Sequence, residues 1–243
     1  MKRGFRMTRL AVVITSTLAF VAILAVGGQM NASYAEATDQ QALVDSAKST
    51  FEGFVQDKEF SWLPENLHDL KGILIVPKLV KAGFVLGGSG GRAVMLTRDA
   101  KTGKWSEPGF YSFGSVSFGL QIGGEGAEVI MAVKSQGAVD RLLSSSVKLG
   151  ADAGIAAGPV GGGAKFNAMA DILSFSKAKG AFVGLSLEGS VVKVSDKWNE
   201  GYYDKPGVRP TDIFIKQSVS NPGSQSLRDA VKKAEKAKKK MNS

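Results

Sequence analysis

The sequence contains no cysteine and only one histidine, His68. Without cysteine the chain forms no disulfide and carries no lipoprotein anchor. A transition-metal centre would also lack its usual imidazole and thiolate ligands, so we predict no metal site and no cofactor. The fold must therefore be stabilised by its own hydrophobic core. The roughly 208 residues after position 35 are enough to form one.

Complete catalytic motifs are also missing. Residues 158–165 resemble a phosphate-binding loop, but Ala164 follows Gly163 where that motif requires lysine and then a hydroxyl residue. Residues 87–91 match the Gly-x-Ser-x-Gly pattern of a nucleophile elbow. That elbow needs a helix after the serine, whereas an alternating, strand-like pattern follows Ser89. We therefore predict a protein without catalytic residues.

The N-terminal 35 residues have the pattern of a secretory signal peptide. Four cations precede an apolar stretch over residues 10–26, and the small-x-small sequence 33–35 follows it. We expect cleavage after Ala35 and an exported, periplasmic protein associated with the membrane. The alternative is an uncleaved anchor, because a mainly apolar stretch of 17 residues is near the lower limit for a spanning helix.

Positive charge is concentrated at the C-terminus. The formal net charge is +9, but residues 36–223 are balanced, so a nucleic-acid-binding surface is not expected. From Ser224 onward seven cations face two acids. We predict a basic amphipathic helix that binds anionic membranes electrostatically, with a solvated disordered tail as the alternative. The cations of this membrane-binding segment are Arg228, Lys232, Lys233, Lys236, Lys238, Lys239 and Lys240.

Hydrophobic periodicity predicts helices over residues 39–59, 64–70 and 135–145, with Ser135 as the candidate N-cap of the last one. From Gly72 onward short apolar runs alternate with glycines, which predicts many short strands, among them 172–176 and 191–194. Residues 198–210 are expected to form an irregular connection. The expected fold class is α+β, with a curved antiparallel sheet or partly closed β-barrel flanked by a few helices. The glycines of residues 87–91 are expected to form a hairpin turn after the buried strand 73–76. We predict a signal peptide over 1–35, one domain over 36–216, and a linker with a basic tail over 217–243.

Several sequence blocks together resemble the SYLF domain family. Their order and spacing match over roughly residues 40–216. The main blocks are residues 72–84 with the following glycines, 119–124 leading into 128–131, and 175–184 with 187–189. Shorter matches are Trp105-Ser-x-Pro108, Leu149-Gly150, Gly158-Pro159 and Tyr202-Tyr203 followed by Asp212-Ile213. The resemblance implies a non-catalytic module that binds anionic lipids, notably phosphoinositides, and in fungal members filamentous actin. In an envelope, the resemblance points to anionic phospholipids as the partner.

A set of basic residues near the glycine stretch is the predicted lipid-headgroup site. If their side chains converge, they can hold a phosphate beside exposed backbone N–H groups. The alternative is that these cations merely solvate a strand edge. A second class of function is a structural or protein-partner-binding envelope protein without a lipid ligand. An apolar pocket opening near basic residues would favour the lipid ligand, and a flat patch would favour a protein partner. The predicted headgroup residues are Lys78, Lys81, Arg92, Lys177 and Lys179.

Overall fold

The structure is a computed structural model that describes residues 39–83, 86–118, 126–161 and 167–239. Residues 40–243 form one compact unit, and of the unit formed by residues 1–39 only Asp39 is described. The predicted signal peptide therefore lies outside the described residues. In the part of the chain that is described, no helix has the length and apolar character to cross a membrane, and no cluster of potential metal ligands occurs.

The first helix, α1, is described from residue 39 to residue 56. Its apolar residues recur at helical spacing, and Val44, Ala47, Phe51 and Phe54 are fully buried. A 3-10 turn, Lys58–Phe60, follows, and then the short helix α2, Trp62–Asn66. The predicted helix 64–70 thus begins two residues earlier and is shorter.

Nine strands form one curled, half-barrel sheet within the described ranges. The predicted α+β class is confirmed. Across the sheet the strands follow the order β5-β9-β3-β2-β1-β4-β7-β6, and β8 pairs with β7. Every neighbouring pair is antiparallel except β6 and β7. The strands are β1 Gly72–Gly83, β2 Leu86–Thr97, β3 Gly109–Phe118, β4 Gly126–Val133, β5 Ser146–Lys148, β6 Ile155–Ala157, β7 Ile172–Ala178, β8 Ala181–Phe182 and β9 Val191–Val194.

Both faces of the central sheet are covered. On one face, Ile73 and Ile75 of β1 share a core with α1, α2 and the C-terminal helix. On the other face, Leu74 and Val76 pack in a second core with the helix that follows β4 and with the short helix over residues 210–214. Because alternate side chains enter different cores, residues 73–76 are apolar at every position. The prediction of a fully buried strand is therefore correct.

Three further helices follow the central strands. Helix α3, Gln136–Leu142, begins after Ser135, whose hydroxyl accepts a hydrogen bond from the Ala138 N–H at 3.1 Å, so the predicted cap is confirmed. Residues 198–210 were expected to be irregular, but they include most of α4, Asp196–Tyr203. Helix α5, Pro210–Phe214, starts with proline at its first position.

The glycine stretch is not a turn, which corrects the sequence-based expectation. Residues 87–91 lie inside β2, where they pair with β1 on one side and β3 on the other. Strand β1 continues past Pro77 through a bulge between Ile75 and Val80. At this bulge a Cβ on Gly91 would lie 2.5 Å from the Lys78 carbonyl oxygen, so glycine permits the close backbone approach.

The C-terminal helix α6, Gln225–Lys239, is packed into the body of the protein. Leu227 and Val231 are fully buried in the same core as α1 and α2. A 3-10 turn precedes the helix, and the Asn221 side chain caps that turn by accepting from the Gly223 N–H at 2.8 Å. The alternative of a disordered tail is therefore wrong for these fifteen residues.

Candidate functional site

The sheet register places Arg92 and Lys177, two of the predicted headgroup residues, on strands that are not neighbours. Arg92 on β2 pairs with Ser112, and Lys177 on β7 pairs with Glu128 on β4. Strands β1 and β4 separate β2 from β7 in the sheet. Three strand spacings place the two backbones about 14 Å apart. The register therefore does not bring Arg92 and Lys177 together around one phosphate.

Lys177 is part of the contact between α1 and the sheet. It is 9% exposed, and its Nζ lies 3.5 Å from Glu128 Oε2 and 4.7 Å from the centre of the Phe54 ring. Thr50 of α1 donates a hydrogen bond to the other oxygen of Glu128 at 2.7 Å. The ammonium group is thus occupied by interactions inside the protein.

The other predicted headgroup residues lie in different surroundings. Lys78 is exposed at the bulge of β1, beside Gly126. The Arg92 guanidinium is 3.8 Å from the ring centre of Trp198 on α4, a stacking contact. Lys179 is exposed in the turn between β7 and β8, with a left-handed φ of 51°. The side chain of Lys81 lies outside the described residues.

Exposed lysines of α6 form a second basic surface, here called the α6 basic face and defined as Lys232, Lys233 and Lys236. All three are exposed, while the opposite side of the helix is buried in the core. Arg228 differs from them because it pairs with Glu107 through a short ion pair. Of the remaining predicted tail cations, the side chains of Lys238 and Lys239 and all of Lys240 lie outside the described residues.

A cleft of about 730 Å³ lies beside the α6 basic face. It is bounded by α6, by the segment 102–107 that precedes β3, and by the connection between α5 and α6. Its apolar lining comes from Trp105, Ile213 and Val219. Five cationic residues and three acidic residues also line it, namely Arg98, Lys104, Arg228, Lys232, Lys236, Glu107, Asp229 and Glu235.

Two of the three acids in the cleft are saturated by donors from the protein. Glu235 accepts from Arg98 at 2.9 Å and from the Trp105 indole N–H at 3.1 Å. Glu107 pairs with Arg228 and accepts from the Ser224 hydroxyl at 2.7 Å. These contacts join α6 to the segment that leads into β3, and they neutralise both carboxylates.

Tyr203 fixes the far end of the same segment. Its hydroxyl donates to the Pro108 carbonyl oxygen at 2.6 Å. Burial, reinforced by the nearby charge of Glu107, raises the pKa of Tyr203 far above its ordinary value. The phenol therefore remains a protonated donor and holds the segment against α4.

One sequence family matches about half of the chain. Residues 114–234 match the Ysc84 family, described as "Las17-binding protein actin regulator". The chain belongs to this family. The matched residues run from within β3 to residue 234 of α6, so Lys232 and Lys233 lie inside the matched stretch and Lys236 lies two residues beyond it. The resemblance to SYLF proteins noted from the sequence blocks is thereby confirmed.

Curated relatives from yeasts and mammals are similar to more than half of the chain. An SH3 domain-containing protein of Schizosaccharomyces pombe is 37% identical over 147 residues, which are 58% of this chain and 34% of the relative. LAS seventeen-binding protein 3 of Saccharomyces cerevisiae is 31% identical over 147 residues, 58% of this chain and 32% of the relative. SH3 domain-containing YSC84-like protein 1 of Mus musculus is 29% identical over 150 residues, 60% of this chain and 43% of the relative.

The chain thus spans between 32% and 43% of the length of these relatives. No solved structure matches the chain. The relatives are named as binding or SH3-containing proteins rather than as enzymes, which agrees with the lack of a catalytic motif in this sequence.

Sequence reasoning missed the residues that build the cleft opposite α6. Arg98, Trp105 and Glu107 lie more than 120 residues before their partners on α6. The only signal was the Trp105-Ser-x-Pro108 block, which resembles the family pattern without indicating what it contacts.

Proposed function

We propose that this protein is a non-catalytic binding protein that docks on anionic phospholipid surfaces through the α6 basic face. The observation that supports the proposal is how α6 packs against the core. Leu227 and Val231 are buried on one side, and Lys232, Lys233 and Lys236 are exposed on the other. Because the helix is already folded and packed, binding does not have to order it, so little of the electrostatic gain is lost.

The expected strength follows from the charge of the basic face. Each cation near an anionic leaflet contributes about 1 kcal/mol, so three lysines contribute about 3 kcal/mol. That corresponds to roughly a hundredfold change in affinity. The contribution should fall steeply as salt shortens the Debye length from about 30 Å at 0.01 M to about 8 Å at 0.15 M.

Co-sedimentation with vesicles tests the proposal. The protein should bind vesicles that contain phosphatidylglycerol and not vesicles of pure phosphatidylcholine. The variant K232Q/K233Q/K236Q should lose about a hundredfold in affinity at low salt. The control K148Q/K193Q/K197Q removes the same charge from exposed lysines on β5, β9 and α4 and should bind nearly as wild type. Equal losses in the two variants would show that net charge alone matters and would refute a role for this face.

A protein partner is the second candidate. It is favoured by the family description and by a relative named as a Las17-binding protein. If neither vesicle type is bound at low salt, we expect a partner protein instead. In either case we propose that the chain is exported to the periplasm after cleavage behind Ala35, on the basis of its N-terminal sequence.

A further inference from the structure

The cleft beside α6 has the size of a ligand pocket. Its volume of about 730 Å³ falls within the range of roughly 300–1,000 Å³ typical of small-molecule sites. A bare phosphate or carboxylate would leave most of that volume empty. The cleft therefore suits an organic molecule rather than a simple inorganic ion.

The lining of the cleft combines an apolar wall with a cationic one. Trp105 is 7% exposed and fixed by its indole N–H, and the half-buried Val219 extends the apolar surface, whereas Ile213 borders the cleft but is fully buried. Lys232 and Lys236 line the cleft from α6, where their i, i+4 spacing places them on the same side of the helix. A molecule in the cleft can thus contact apolar atoms and ammonium groups at the same time.

The cations of this wall are not neutralised by the acids of the cleft. Glu107 and Glu235 already have arginine partners. Within the described ranges Lys232 and Lys236 have no carboxylate at ion-pair distance, although Asp229 also lines the cleft and opposes an anion there. In addition, Arg228 Nε is buried and has no hydrogen-bond acceptor among the described residues. A negatively charged group would improve this charge balance.

From these observations we propose that the cleft binds a single organic anion that has an apolar body, such as an alkyl phosphate or an alkyl carboxylate. The anionic head contacts Lys232 and Lys236, and the body lies against Trp105 and Val219. This site goes beyond docking on a membrane surface, because it takes one molecule from solution into a cavity. The same head chemistry occurs in free phosphate esters and in lipids, and the probes below separate the two.

Isothermal titration calorimetry of the full chain tests the proposal with four probes. The amphiphilic probes are kept below their critical micelle concentrations. Octyl phosphate and octanoate carry both the charge and the apolar body. Octyl glucoside carries only the body, and glycerol 3-phosphate carries only the charge. We expect the first two to bind, and the last two to bind at least about tenfold more weakly. Equal binding by octyl glucoside, equal binding by glycerol 3-phosphate, or no binding by any probe would each overturn the proposal.

Variants locate the site. K232Q/K236Q should weaken octyl phosphate binding about tenfold, because two charges near the head are lost. The charge-matched control K148Q/K193Q should leave it unchanged, and equal weakening in both variants would overturn the assignment to the cleft.

A third variant separates this site from membrane docking. Lys233 belongs to the basic face but does not line the cleft. K233Q should therefore weaken vesicle binding while leaving octyl phosphate binding as in wild type. If octyl phosphate binding weakened in K233Q as much as in K232Q/K236Q, the cleft assignment would be wrong, whatever the vesicle assay shows.

Discussion

The anchoring of α6 in the core can be tested by the substitution Leu227→Ala. Leu227 is fully buried among the residues that join α1, α2 and the sheet. Truncating a buried leucine to alanine costs about 2–5 kcal/mol, from lost apolar burial and from the cavity left behind. A domain of this size has a free energy of unfolding of about 5–15 kcal/mol, so the variant should still fold.

Urea unfolding followed by circular dichroism measures this effect. Leu227→Ala should lower the free energy of unfolding by about 3 kcal/mol, which corresponds to a melting temperature lower by about 6–12 °C. Ser226→Ala is the matched control, because Ser226 is the exposed neighbour on the same helix. The control should change the free energy of unfolding by no more than about 0.5 kcal/mol.

One result would refute the packing of α6. If Leu227→Ala shifted the unfolding midpoint no more than Ser226→Ala, the helix could not be part of the cooperative core. The basic face would then be carried by a separate tail. The proposed membrane docking would then lose its support, because it depends on a fixed orientation of these lysines.

Three further predictions follow from particular residues. Lys177→Met should lower the free energy of unfolding by about 1–3 kcal/mol, because it removes the buried partner of the ion pair with Glu128, and should leave vesicle binding of the folded protein unchanged. Weaker vesicle binding at unchanged stability would restore Lys177 as a surface ligand. Gly91→Ala should lower the free energy of unfolding in urea by about 1–3 kcal/mol, because its Cβ would lie 2.5 Å from the Lys78 carbonyl oxygen. A Cβ on Gly114 would meet no described atom within 4 Å, so Gly114→Ala should be tolerated, and similar costs for both variants would contradict the bulge geometry. The intact mass of the exported protein should correspond to an N-terminus at Glu36, and a mass that includes Met1 would support the anchor instead.

Helices and strands with a regular local sequence pattern were predicted correctly. The helical spacing of buried residues gave α1, and the Ser135 cap gave α3. The predicted strands 172–176 and 191–194 correspond to β7 and β9. In each case the local pattern and the tertiary packing favour the same structure, so the local pattern was sufficient.

Local patterns failed where the partner lay far away in the sequence. Consecutive glycines are typical of a turn, and nothing within residues 87–91 distinguishes a turn from a strand. Their place in β2 depends on pairing with β1 and β3 and on the bulge that Gly91 permits. Helix α4 was missed for a similar reason, because only Asn199 and Tyr202 are buried and they recur over too few turns to reveal a period.

The charge of the C-terminal segment is a property of the sequence, and no fold was needed to locate it. Composition could not decide which of these cations are available to a partner. Arg228 forms an ion pair with Glu107, which lies 121 residues earlier in the chain. Lys232 and Lys236 line a cleft whose opposite wall is the segment around Trp105. Only the tertiary structure brings these residues together, because burying Leu227 and Val231 fixes the rotation of α6 and so determines where each cation points.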